Sequence, residues 1–330
     1  MARLVAAFGS SHSIMLAAER EDWIASFRDS DQRMPLYDKT GARTTYAELL
    51  AAAPKDSADR VTESKMAATY DRTFAAVAEL KRQIDATPMD VLIIAGDDQH
   101  ELFHDTMMPA LAIYYGKTIR NAAQQDVPHE NWYGRAQMQR LEPERDAYYP
   151  VHEKVALHFI EGLVARDFDV CAVGGLTAEQ HEGHAYSYIH RTYLTGRHLP
   201  VVPLLLNTYY PPNQVTPQRC VQFGRHLREL IASYPEDLRV GIIASGGLSH
   251  FVVDEELDQG VIAALKAKDV DHLARLDPKR LQAGSSEIRG WIVTAAAATD
   301  LDLHWLEYIL AYRTPALTGI GMAFARWSLP

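Results

Sequence analysis

Five short apolar runs punctuate the chain, and each gives way to a polar or glycine-rich turn. Residues 4–8 lead into Gly-Ser-Ser-His and residues 91–95 into Gly-Asp-Asp-Gln-His. Residues 170–173 lead into Gly-Gly-Leu, residues 201–206 into Asn-Thr-Tyr-Tyr, and residues 240–244 into Ser-Gly-Gly-Leu-Ser-His. Continuous rather than alternating apolarity predicts strands covered on both faces. Between these runs lie stretches with helical periodicity, at 66–84, 152–165, 220–233, 255–265 and 287–298. Strands alternating with helices predict an α/β fold with a mainly parallel central sheet flanked by helices. Ligands of such sheets bind outside the carboxyl ends of the strands, where the polar turns fall.

Two segments break the alternation. Residues 20–60 and 121–150 are polar and rich in turn formers, and they predict excursions from the core that serve as lids or oligomer contacts. The remainder reads as one catalytic domain spanning 1–330. Hydrophobic residues make up 47% of the 330 positions, enough for a large core. A net charge of −10 argues against nucleic acid as a partner, since that requires basic stripes. Two cysteines, Cys171 and Cys220, supply neither a disulfide framework nor a zinc cluster. The N-terminal run fits a first strand better than a signal peptide, and no apolar stretch approaches membrane-spanning length. The expectation is a soluble, cytoplasmic protein.

Composition changes the picture once more through its 14 histidines. His12, His100, His104, His181, His184, His190 and His250 all follow strand ends, with Asp97, Asp98 and Gln99 beside them. Imidazole with carboxylate and no thiolate suits Fe(II), Mn(II) or Zn(II). Two histidines and a carboxylate on one face of an octahedron leave positions open for substrate and O2, and further histidines there can act as acid and base. Gly-x-Ser-x-Gly, His-Glu-x-x-His and phosphate-loop patterns are absent.

Four motifs in order carry a resemblance to a known family. They are Ser11-His12 after the first strand, His184-Ala185-Tyr186 ahead of Leu199-Pro200-Val201, Gly246-Gly247-Leu248-Ser249-His250, and Gly284-Ser285-Ser286-Glu287 with Trp291 four residues on. In this the chain resembles the class III extradiol ring-cleaving dioxygenases, and protocatechuate 4,5-dioxygenase catalytic subunits in particular. The resemblance implies an enzyme that inserts both atoms of O2 into a catechol-type aromatic, such as a protocatechuate- or gallate-like acid, using non-haem Fe(II). It implies His12 and Glu287 as metal ligands, His250 as catalytic base and His184 as catalytic acid. It also implies a homodimer or larger homo-oligomer.

The second histidine ligand is where the chain departs from that pattern. The family has Asn-Asp-His or Pro-Asp-His after its second strand, and this chain has Gly96-Asp97-Asp98-Gln99-His100. His100 is the expected ligand, with Gln99, then Asp98, then His104 as alternatives. Asp97 and Asp98 also read as caps of the following segment. Ser249, His181 and Tyr186 are candidates for substrate contact, with Ser249 alternatively a turn residue orienting His250. Tyr188, Tyr209 and Tyr210 are candidates for pocket walls, and Arg191 or Arg289 for pairing with a carboxylate. His129 is a candidate lid residue. The altered ligand motif keeps open a zinc-dependent hydrolase or lyase on the same scaffold, and a non-catalytic binding protein is the other alternative.

Overall fold

The computed structural model describes residues 1–124 and 132–330. His129 lies outside the described residues. The main sheet contains β1 (Arg3–Ser10), β2 (Val91–Asp97), β3 (Leu111–Tyr114), β4 (Cys171–Val173), β5 (Val201–Leu206), β6 (Arg239–Ser245), β7 (His250–Val252), β8 (Asp302–Tyr312) and β9 (Thr318–Ser328). Their order across the sheet is β7-β9-β1-β6-β2-β5-β3-β4, with β8 also paired to β9. β1, β6, β2 and β5 run parallel, as do β3 and β4. β9 runs antiparallel to β1, β7 and β8, and β3 antiparallel to β5. The result is a large, mostly parallel α/β sheet.

The five expected strands are all present. Their residues alternate between two cores, with Val91, Ile93 and Ala95 of β2 packing on one side and Leu92 and Ile94 on the other. Both faces are covered, so the sequence shows a solid apolar run instead of alternation. Helices Glu63–Asp85, Glu153–Val164, Pro217–Ser233, Glu255–Ala267 and Ile288–Ala297 match the five periodic stretches to within a few residues. Thr62, Thr216 and Asp254 accept backbone N–H groups at three of their starts. The long β8–β9 hairpin was not expected. β9 is buried along almost its whole length and so lacks a polar alternation.

Residues 20–60 form short helices, including Ser26–Asp31, and the hairpin Leu36–Tyr37 with Arg43–Thr44. Helix Trp132–Gln139 lies between the paired strands Thr118–Asn121 and Ala147–Pro150. Both excursions reach the carboxyl edge of the sheet and form walls there. Among the described residues no helix is long and apolar enough to cross a membrane.

Candidate active site

Parallel pairing brings the ends of β1, β6 and β2 together, with Ser10 opposite Ser245 and Ala244 opposite Ala95. His12 follows β1, and its Nδ1 lies 2.9 Å from Ser245 Oγ. That hydroxyl donates its single proton to Ala185 O at 2.7 Å, so Nδ1 must carry the proton in the His12–Ser245 bond. In the neutral ring Nε2 is then a bare lone pair. It faces Asp97 Oδ1 and Glu287 Oε2, each 3.6 Å away, and is buried without a hydrogen-bond partner among the described residues.

Asp97 ends β2. Its Oδ2 accepts the Gln99 amide at 3.2 Å, whereas Oδ1 is buried and unpartnered among the described residues. Burial, reinforced by the nearby Glu287, raises the pKa of Asp97 against the pull of His184 and His12. Glu287 sits where a 3-10 turn meets helix Ile288–Ala297. Its Oε2 accepts Gly247 N–H at 2.8 Å, and Oε1 accepts Tyr209 OH at 3.1 Å. Burial opposes ionisation, but His250 and His12 hold this carboxyl well below its ordinary pKa.

Two more imidazoles complete the group. His184 opens helix His184–Thr192, and Glu101 grips it twice, accepting the backbone N–H at 2.9 Å and Nδ1 at 2.8 Å. Its Nε2 lies 3.8 Å from Asp97 Oδ1 and 3.4 Å from the Gln99 amide nitrogen. Burial works against a charge here, yet Glu101 and Asp97 lift His184 to a pKa of about 9. His250 gives its Nδ1 proton to Leu248 O at 2.8 Å and points Nε2 at Glu287 Oε1, 3.2 Å away. Burial is again outweighed, this time by Glu287, and the pKa of His250 is raised.

The local sequence explains this placement. Gly246 has φ +154, and a Cβ there would meet Glu287 Cβ at 2.9 Å. Trp291 Nε1 donates to Gly246 O at 2.8 Å and ties the turn to the helix carrying Glu287. Ser249 donates to Asp258 at 2.7 Å and its amide to the same carboxylate at 2.8 Å, which fixes the turn before His250.

His12, Asp97, His184 and Glu287 each offer a ligand atom, and these atoms lie within 4.8 Å of one another. The structure brings four of the expected residues together, namely His12, His184, His250 and Glu287, and adds Asp97, a strand-end carboxylate that the sequence does not mark as a ligand. It does not bring His100 to the group. His100 adopts φ 63, stacks on Tyr210 at 3.7 Å and puts Nε2 3.2 Å from Asp105. The left-handed residue turns the chain outward just past the site. Asp98 accepts the backbone N–H groups of Leu102 and Phe103 and closes the turn after β2, where no helix follows for it to cap. Gln99 faces the site through its contacts with Asp97 and His184. His104 lies beside His100 and not in the group.

Above the group opens a cavity of about 320 Å³ whose lining includes Phe27, Trp132, Tyr188, Tyr209, Phe251 and Arg313. Three expected substrate contacts are elsewhere. Tyr186 is fully buried and donates to Leu204 O. Ser249 is turned to Asp258, and His181 bonds Glu182 O through Nδ1. Neither is part of the lining.

A family model described as the catalytic LigB subunit of aromatic ring-opening dioxygenase matches residues 61–324. The chain belongs to this family. It is also similar to a gallate dioxygenase from Pseudomonas putida, with 47% identity over 55 residues. That stretch is 17% of this chain and 16% of the relative, so the chain spans about a sixth of the length of the curated relative it matches.

Proposed function

We propose that the protein is an extradiol ring-cleaving dioxygenase that inserts both atoms of O2 into a catechol-type aromatic acid, of the protocatechuate or gallate class, with Fe(II). The observation that carries this reading is the pair of buried, unpartnered atoms, His12 Nε2 and Asp97 Oδ1, facing the Glu287 carboxylate. A lone pair and two carboxylates buried together fit a divalent cation, whose charge would hold both carboxylates ionised. His12, Asp97 and Glu287 would hold it. A bound Fe(II) supplies Lewis acidity toward the catechol hydroxyls and the redox path to O2.

The chain's own groups account for the rest. His250 has Nδ1–H fixed by Leu248 O, so its Nε2 is the atom that takes a hydroxyl proton from the bound ring. His184, charged through Glu101, is placed to return a proton on the other side. Tyr188, Tyr209 and Phe251 give the ring apolar faces. The same reading has the enzyme act in the cytoplasm as a homodimer or larger homo-oligomer.

The test is O2 uptake by protein purified anaerobically and loaded with Fe(II), against catechol, protocatechuate, gallate and O-methylgallates, with His12→Ala alongside. One O2 consumed per substrate, absent in the variant, is the expected result. No uptake with any catechol overturns the reading. One imidazole with two carboxylates also suits zinc, which favours a hydrolase or lyase as the second reading. Zinc as the metal retained on purification, without O2 uptake, would select it.

A further inference from the structure

The arginines near the site differ in how their donors are used. Arg289 is buried, and its Nε and Nη1 donate to the carbonyls of Val215, Leu281 and Ser286, with Thr208 O at 3.4 Å. Its donors are committed to tying segments together. Arg191 is paired with Glu142 and, although its Nε is also buried without a partner among the described residues, it does not line the cavity, whereas Arg140, which does, is paired with Glu101. Arg313 is different. It is 2% exposed, lines the cavity, and uses Nε on Asp31 Oδ2 at 2.9 Å, while its Nη2 is buried without a partner among the described residues. A buried guanidinium N–H left unpaired carries a desolvation cost that a bound acceptor removes.

We propose that Arg313 is the specificity residue of this cavity and that it receives an anionic substituent, a carboxylate, on the aromatic ring. The proposal rests on the cavity being the aromatic-substrate site. Asp31 fixes the guanidinium through one donor only, and Thr318 Oγ1 fixes Asp31 in turn at 2.5 Å. A planar fork held at Nε presents its outer edge to a carboxylate as two donors. The ring of Phe27 lies 5.6 Å from the guanidinium carbon and that of Phe251 lies 6.0 Å from it. These apolar walls keep water away and strengthen a charge-assisted bond. Phe251 follows His250 directly and its ring lies 5.5 Å from that imidazole, so the anion is received on the His250 side of the ring. Arg313 follows β8, and Asp31 ends helix Ser26–Asp31 of the first excursion. The anchor is thus built by two segments outside the parallel sheet.

The test separates this proposal from the ring-cleavage reading. Calorimetry compares benzoate with benzamide, its neutral counterpart, on the wild-type protein and on Arg313→Gln. Because Arg313→Gln leaves the Asp31 carboxylate buried without its counter-charge, the double variant Asp31→Asn/Arg313→Gln is measured too, and thermal melting confirms folding. The expected result is a preference for benzoate of at least about tenfold in the wild type, lost in whichever variant folds. In steady-state kinetics the ratio of kcat/KM for 3,4-dihydroxybenzoate over catechol should fall on the order of 10- to 100-fold in the variants. An unchanged benzoate preference in a folded variant overturns the proposal, as does equal loss on both ring substrates. Loss of benzoate preference in a protein that cleaves no catechol supports Arg313 and overturns only the dioxygenase reading.

Discussion

Asp97 is the residue on which the site turns. Its Oδ1 is buried and unpaired 3.6 Å from His12 Nε2, whereas His100 is stacked on Tyr210. Asp97→Ala should therefore abolish stoichiometric metal binding, and His100→Ala should retain it, as read by metal content after dialysis. The reverse outcome would make His100 the ligand. Glu101 acts one step back, through His184. Glu101→Gln removes the carboxylate that positions and charges that ring, and kcat should fall about 100-fold with metal content unchanged. An equal rate would mean that His184 needs no such partner. At this scale His12, His184, His250 and Glu287 were legible because each follows a strand end or opens a helix inside a recognisable motif. Asp97 was not legible. Asp97 closes β2 and its direction is set by pairing with β5, where it stands opposite Leu206, a register the sequence pattern does not fix, while the left-handed conformation of His100 carries that ring away from the group.

At the scale of elements, the turns around His250 and Glu287 are held by close approach as much as by hydrogen bonds. A Cβ on Gly284 would sit 1.9 Å from His250 Cδ2. Gly284→Ala should push the imidazole from its place between Leu248 O and Glu287, lowering kcat/KM by about 100-fold or more while the sheet persists. Steady-state kinetics beside a thermal melt check this, and wild-type activity would show that the ring tolerates displacement. The buried strands were legible from their solid apolar runs and the long helices from their period. The β8–β9 hairpin was not, since Gly319, Gly321 and Arg326 interrupt the apolar run of β9 and the half-buried β8 shows neither a solid run nor a clean alternation. Its loss from the reading also hid Arg313. Residues 20–60 and 121–150 were recognised as excursions from composition, but only the structure shows that Phe27 and Trp132 carry them into the cavity wall.

For the molecule as a whole, the sheet has a chemical end and a structural end. The carboxyl ends of β1, β2 and β6 carry the buried charges of the site. At the opposite end, Asp90 just before β2 meets Arg239 at the start of β6 through bonds of 2.7 and 3.0 Å to the side chain and 2.8 Å to the backbone N–H. The Arg239 guanidinium, then its backbone N–H, pull the Asp90 pKa down from 3.8 to about 2. A carboxyl depressed on folding stabilises the protein above its unfolded pKa, near 4, and that stabilisation is lost as pH falls through about 2. A shift of this size corresponds to about 2.5 kcal/mol, but with the two side chains 33% and 43% exposed, screening reduces it to roughly 1 kcal/mol. Asp90→Asn should thus destabilise the protein by roughly that amount at pH 7, by about half as much at pH 3, and leave kcat unchanged. Urea denaturation at the two pH values reads the difference. Equal destabilisation at both would mean that Asp90 acts as a neutral hydrogen-bond acceptor and not as a charge. A fall in kcat would mean that the two ends of the sheet are coupled, which the separation of the pair from every site residue along β2 and β6 argues against.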